Sequence, residues 1–225
     1  RMCGRFTLRS RLNVVVRELD LFGDVEWEPR YNIAPTQPVP IVRPDEDGRR
    51  ACALARWGLI PSWAKDPKQC GLLINARAET VAEKPAFRTA FRKRRCLVLS
   101  DGYYEWQALG DKKKQPYFIH RPDNGVFGFA GLWECWSGGD GPPVESCTIT
   151  TTTANDGVVH VHDRMPVILE PGEWDSWLAP TAEPSVLSML LRPFPASGLA
   201  ADAVGTLVNN AKNDAAECVC PVAVE

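Results

Sequence analysis

Cys96-Leu97-Val98-Leu99-Ser100-Asp101-Gly102-Tyr103-Tyr104-Glu105-Trp106-Gln107 is the stretch from which the fold reads outward. Cys96 to Leu99 is a short, wholly apolar run and reads as a buried strand. Tyr103 to Gln107 and Gln115 to His120 read as two further strands, flanking a turn at Gly110-Asp111 that carries three lysines. Tyr117 to His120 and Val126 to Ala130 flank Pro122-Asp123-Asn124-Gly125, and Asn-Gly between two such runs is a strong hairpin signal. The middle of the chain is therefore expected to be an antiparallel meander.

Working outward, Phe6 and Leu8 alternate into a first strand, and Leu12, Val15, Val16 and Leu19 recur at helical spacing, with Gly23 as a stop. Pro35-Thr36-Gln37-Pro38-Val39-Pro40-Ile41-Val42 is barred from helix by its prolines and reads as extended. Asp45-Glu46-Asp47-Gly48 turns the chain into a run that reaches Trp57, and from there to Ala76 loops with short strands are expected. Pro85 opens a short helix with Phe87, Ala90 and Phe91 inward and Arg88, Arg92 and Arg95 outward. Ser146 to Thr152 is β-rich, and helices are expected at Glu173 to Leu178 and Ser185 to Leu191. The sum is an α+β chain, β-dominated and mostly antiparallel, with a barrel-like sheet closed or nearly closed and peripheral helices. A single domain over 2–225 is expected.

The 225 residues are 44% hydrophobic and 24% charged, which is ordinary for a globular protein. No apolar run approaches the roughly 18 residues a membrane helix needs, and no secretory segment follows Met2. A cytoplasmic setting follows as the expectation, with the eight cysteines as thiols rather than a disulfide framework. A net charge of −2 argues against coating nucleic acid by bulk attraction, so any phosphate binding would need a local basic groove.

Four clusters carry chemistry. At the start, Met2-Cys3-Gly4-Arg5 would expose a 1,2-aminothiol if everything before Cys3 were removed. Its α-amine has a reference pKa of about 7.7–8.0 and is nucleophilic near neutral pH. The amine can form an imine with an aldehyde, and the thiol can close onto it as a thiazolidine. The plain alternative is Cys3 as a small buried hydrophobe. In the second cluster, Glu105 lies between aromatics, where burial would push its carboxyl toward neutrality and suit it to proton transfer. It could equally be a solvent-facing residue on the polar side of its strand. In the third, His160 and His162 would share a side of an extended segment. With Cys218 and Cys220 they make a metal set on paper, without the usual spacing; otherwise one histidine is a general acid, or both are structural. Asn75 and Arg77 share a face if their segment is extended, the Asn able to orient a reacting group and the Arg to clamp a phosphate. Trp57 reads as core, Trp63 as core or as a stacking platform, and Arg92-Lys93-Arg94-Arg95 as a solvated face.

Met2-Cys3-Gly4-Arg5, Tyr31-Asn32-Ile33-Ala34-Pro35-Thr36, Arg56-Trp57-Gly58-Leu59-Ile60-Pro61-Ser62-Trp63, Asn75-Ala76-Arg77-Ala78-Glu79-Thr80, Asp101-Gly102-Tyr103-Tyr104-Glu105-Trp106 and His162-Asp163-Arg164-Met165-Pro166 occur in that order. Together they resemble the SOS-response-associated peptidase (SRAP) family of abasic-site-processing proteins, from Met2 to about Pro221. The resemblance implies a β-rich SRAP fold with a basic cleft for single-stranded DNA and a covalent DNA–protein crosslink between the N-terminal cysteine and an abasic site. It implies Cys3 as nucleophile, Asn75 and Glu105 in the active site and His162 as the catalytic histidine; His160 falls where other members can have Asp. It implies DNA contacts by Arg5, Arg77 and Arg164, and stacking on Trp63. No metal and no cofactor is called for, and the expectation is a monomer working at damaged DNA in the nucleoid. The implied chemistry opens the sugar ring with His162, forms the imine with Glu105 moving protons, and closes the thiazolidine with the Cys3 thiol; β-elimination is a side route. Arg1 is the departure, because the family needs Cys as its first residue. A self-processing cysteine peptidase and a non-covalent reader of modified DNA are the other two readings.

Overall fold

The computed structural model describes residues 3–23, 25–111 and 113–223; Arg1, Met2 and Lys112, named above, lie outside them. In chain order the elements are β1 (Phe6–Leu8), α1 (Leu12–Glu18), β2 (Arg30–Ile33), β3 (Pro38–Pro44), β4 (Arg50–Trp57), β5 (Asn75–Arg77), α2 (Arg88–Lys93), β6 (Arg95–Ser100), β7 (Gly102–Ala108) and β8 (Lys114–His120). Then come β9 (Phe127–Trp136), β10 (Val144–Thr153), β11 (Arg164–Pro166), β12 (Ile168–Leu169), α3 (Trp174–Leu178), α4 (Pro184–Leu190) and β13 (Ala200–Ala203).

Five strands close on themselves. β10 pairs with β4, β4 with β3, β3 with β6, β6 with β9, and β9 returns to β10. Closure leaves these strands no edge along which to aggregate. The ladders are antiparallel except where β10 runs parallel to β4 and then to β5, both on the same side of it. Prolines in β3 are accommodated because its ladder to β6 is confined to Ile41 and Val42. A second sheet, in the order β13-β8-β7-β1-β2, is antiparallel throughout.

The two sheets share one apolar core. Phe6 of β1 meets Trp57 of β4 and Phe129 of β9 at ring separations of 5.0 and 5.8 Å, both edge to face. Tyr103 of β7 meets the same Phe129 at 6.1 Å. Trp57 is fully buried, as read from sequence, and donates its indole N–H to the Ile74 carbonyl at 3.0 Å. β7 begins at Gly102 because a Cβ there would stand 2.3 Å from the Phe118 ring of the next strand.

Three expectations are corrected. Asn124-Gly125 does not make a hairpin: β8 pairs with β7 and β13, whereas β9 pairs with β6, β10 and β12. A two-residue hairpin of the expected type needs positive φ at both residues, and Asn124 has it (+56°) while Gly125 does not. The turn instead passes the chain from one sheet to the other. Arg95 does not face outward; it begins β6, is buried, and donates to the carbonyls of Phe91, Arg92, Trp177 and Ala179. It ties α2 to α3 by satisfying carbonyls that helix ends leave open. His160 and His162 are not in an extended segment: Val159 and His162 donate to the carbonyls of Asn155 and Val158, so the stretch is coiled into turns before β11.

Candidate active site

The register of β1 against β7 places the start of the chain. Phe6 lies opposite Tyr103, and the Tyr104 N–H donates to the Arg5 carbonyl at 3.0 Å. Continuing that antiparallel register brings Gly4 beside Glu105 and Cys3 within reach of its carboxyl. The Cys3 backbone N–H donates to Glu105 Oε1 at 2.7 Å, and Asn75 at the head of β5 donates its side-chain N–H to the Cys3 carbonyl at 3.4 Å. Above them opens a cleft of about 560 Å³ lined by Gly4, Arg5, Pro35, Leu72, Ile74, Asn75, Glu105, Trp106, Lys114 and His162.

Glu105 is 2% exposed, and its burial pushes the carboxyl up to about 8, against the smaller opposing effect of the Cys3 N–H. The Cys3 thiol is fully buried and driven well above its ordinary range, first by burial and then by the Glu105 charge. It is thus a thiol and not a thiolate at neutral pH, the opposite of an activated protease cysteine. Burial also lowers the pKa of His162. Its Nδ1 accepts the Arg164 backbone N–H at 3.1 Å, so the proton of the neutral ring sits on Nε2. The Asp163 carboxylate, also 3.1 Å from Nδ1, is 85% exposed and pairs with that nitrogen only when the ring is protonated. Among the described residues no group of three or more His, Cys, Asp or Glu is arranged to hold a metal ion.

An N-terminal amide, a raised carboxyl, an amide side chain and a low-pKa imidazole around one cleft match the pattern of a known family. The model of SOS response associated peptidase (SRAP) proteins matches residues 2–211. This chain belongs to the SRAP family. The abasic site processing protein YoaM of Bacillus subtilis is 44% identical to it, over 96% of each chain. The abasic site processing protein HMCES of Pongo abelii is 32% identical over 98% of this chain and 76% of its own. A crystal structure of a protein from Bacteroides thetaiotaomicron superposes with a TM-score of 0.89 at 28% identity, covering 98% of this chain and 100% of that one. The SRAP architecture of a closed, β-dominated body with peripheral helices is thereby common to both.

Within this SRAP chain, Cys3, Asn75, Glu105 and His162 come together around the cleft. Arg5 lines it too, half-buried, with Nη1 donating to the Val208 carbonyl at 2.8 Å and to Asn32 at 3.2 Å. Arg77 is exposed on β5, two residues beyond Asn75. Trp63 is 63% exposed, on the loop that leads to Leu72, and is not part of the cleft lining. Arg164 is set apart: it is buried, with both Nη groups on the Glu79 carboxylate and Nη2 also on the Thr151 carbonyl at 2.8 Å. His160 is exposed, edge-on to Tyr117 at 5.9 Å.

Lys114 and Trp106 line the cleft and were given no role from sequence. Lys114 lay in a lysine-rich turn that reads as solvated surface, and nothing local marks it out. Trp106 follows Glu105 directly, but side chains alternate along a strand, so it packs with Tyr104 and reaches the cleft from that side, which its place in the sequence does not reveal.

Proposed function

We propose that this protein processes abasic sites in single-stranded DNA by covalent capture, using Cys3 once the residues before it are removed. The observation that carries the reading is the Cys3 nitrogen held 2.7 Å from a raised, buried carboxyl at the floor of an open cleft. A freed α-amine has a reference pKa of about 7.7–8.0, and a carboxyl near that value lets one proton pass between the two at little cost. The neutral amine attacks C1′ of the ring-opened sugar, Glu105 returns the proton as water leaves, and an imine results. The thiol sulfur then adds to the imine carbon and its proton moves to nitrogen, closing the thiazolidine. A neutral thiol suits this last step, since it carries the proton the nitrogen needs. His162 in its protonated form delivers the Nε2 proton to the sugar ring oxygen while the C1′ hydroxyl gives up its own to water, so that the ring opens to the aldehyde and the imidazole is left neutral. Asn75 fixes the Cys3 backbone, and holding the amine beside C1′ removes much of the entropic cost of attack. β-Elimination from the imine gives lyase activity as a side reaction.

Affinity for DNA comes from a few placed cations, because the net charge is −2. Arg5, Arg77 and Lys114 are the contacts we assign, with Trp63 as a platform beside the cleft; Arg164, engaged by Glu79, acts by holding the segment that carries His162. All these groups come from one chain, so a monomer suffices. No helix among the described residues is long and apolar enough to cross a membrane.

The Cys3 N–H on Glu105 also favours a second activity of the same site, hydrolysis of the bond ahead of Cys3: water adds to the carbonyl carbon of the preceding residue, Glu105 protonates the departing Cys3 nitrogen, and the released residues leave as a free acid. Mixing protein that begins at Cys3 with abasic single-stranded DNA tests the main reading. A denaturant-stable, heat-resistant adduct is expected; binding without an adduct would leave only a non-covalent reader.

A further inference from the structure

Two side chains that line the cleft are held by the far end of the chain. Arg5 Nη1 donates to the Val208 carbonyl at 2.8 Å and to Asn32 Oδ1 at 3.2 Å, and the Trp106 indole N–H donates to Asn209 Oδ1 at 2.7 Å. Val208 and Asn209 belong to a single 3-10 turn, Thr206–Asn209. A turn of that length has no stability of its own, so something must fix it.

That something is β2. Asn32, fully buried, donates its side-chain N–H groups to the carbonyls of Asn213, Asn210 and Val208 at 2.7, 3.0 and 3.2 Å. Asp214 returns the grip: its Oδ1 accepts the backbone N–H of Tyr31 at 2.6 Å and of Asn32 at 2.9 Å, and its other oxygen pairs with Arg30. Val208 and Cys218 then pack with Tyr104 and Phe118 in a small core of their own. Tyr104 points away from the Glu105 face of β7, so this core backs the strand that carries the reactive carboxyl.

The geometry points to Asp214 and Asn32 as positioning residues that aim the Arg5 guanidinium at a DNA phosphate. The inference rests on the function proposed above, in which Arg5 is such a contact. With both N–H groups of Nη1 given to protein oxygens, the plane of the guanidinium is fixed. Nε and Nη2 make no hydrogen bond among the described residues and remain as a two-point fork for a phosphate. Asp214 lies three residues beyond the 2–211 span that the family model matches.

The test is binding of a labelled single-stranded oligothymidylate across a salt series, with a thermal melt of each variant. Arg5→Ala should lower the slope of log K against log salt by about 0.7, the value of one single-strand phosphate contact. Asp214→Ala should lower it by the same amount and weaken binding roughly 5–10-fold, and the double variant should bind no worse than Arg5→Ala. Asp214→Asn, which still accepts from the two backbone N–H groups, should stay within about twofold of wild type. A merely structural role would reduce the active fraction and leave the slope alone. Should Asp214→Ala melt below the assay temperature, Asp214→Glu, which displaces the same carboxylate by one methylene, is read in its place. An unchanged slope in the Asp214 variant, or losses that multiply in the double variant, would overturn the inference while wild-type crosslinking stands. Wild-type protein that neither binds nor crosslinks overturns the proposed function first, and this inference with it.

Discussion

Strand β7 carries one buried carboxylate and is preceded by another, and the molecule treats them in opposite ways. Asp101, just before the strand, is 1% exposed and accepts from the Thr7 hydroxyl, the Arg9 backbone N–H at 2.7 Å and the Arg9 Nε at 3.1 Å. Glu105, inside it, is 2% exposed and its one hydrogen-bond partner among the described residues is the Cys3 N–H. A buried charge is tolerable when hydrogen-bonded and paired, and costly when not. Asp101 is thus an anchor that pins β1 to β7, whereas Glu105 keeps its proton and is poised for chemistry. Under-satisfaction, more than burial, separates the reactive end of the strand from the structural end.

The largest test of that contrast is at the nucleophile. Protein that retains Arg1 and Met2 should form no stable adduct with abasic DNA, its Cys3 nitrogen being an amide. Processed Cys3→Ser should lose the stable adduct yet be trapped on the DNA by borohydride, since the amine survives. Trapping absent from that variant would remove the amine from the mechanism.

Next in size, His162→Ala should slow crosslinking by roughly 10²–10⁴-fold, the range for a lost general acid. His160→Ala, whose ring lies outside the cleft lining, should change the rate little. Equal defects in single-turnover assays would mean the two act as one unit.

The carboxylates themselves give effects of opposite sign. Asp101→Asn should cost about 2–4 kcal/mol of stability by stripping an acceptor from Arg9 and Thr7. Glu105→Gln, in protein retaining Met2, should gain about 2–4 kcal/mol at pH 7 while abolishing crosslinking in the processed form. The sign follows from linkage: a carboxyl raised to about 8 in the fold, against about 4.3 unfolded, contributes fully at low pH and loses its contribution as pH rises between those values. Urea melts of the two proteins should therefore converge near pH 4 and separate toward pH 8. Melts that stay parallel would mean Glu105 is not the poised group.

The smallest effect is at the rim. Trp63→Ala should weaken single-strand binding by about 1–3 kcal/mol with little dependence on base sequence, as expected of one stacked ring. A salt slope near −2 for wild type accompanies three phosphate contacts at about −0.7 each. A slope near −8 that ignores Trp63 would move the DNA to another face.

Local sequence carried the strands well, because Cys96–Leu99 and Tyr103–Gln107 are apolar in ways that leave few alternatives. It also placed Glu105 among aromatics but left open whether it faces solvent, and the structure decides for burial. What it could not supply was partnership. The Asn124-Gly125 turn is decided by which sheet β9 joins, through residues such as Gly131 opposite Cys96, and not by the turn itself. Arg95 looked like one more member of a basic stripe; four carbonyls from two helices, one of them some 80 residues away, make it internal. His160 and His162 were misjudged because alternation was assumed where hydrogen bonds from Val159 and His162 coil the backbone. Lys114 and Asn32 acquire meaning only from residues distant in sequence.

The bond from the Cys3 nitrogen to Glu105 also sets a schedule. Glu105 is made about a hundred residues after Cys3, and β10, which closes the ring, ends at Thr153. At roughly 5–20 residues per second, the start of the chain stays open for on the order of 10 s during synthesis. An external aminopeptidase can trim toward Cys3 only in that interval; after β1 docks on β7 the residue is wholly enclosed. Under the self-processing proposed above, a molecule that missed the interval would depend on its own cleft for the cut, and the speed of translation would then divide each batch of protein into early-armed and self-armed copies.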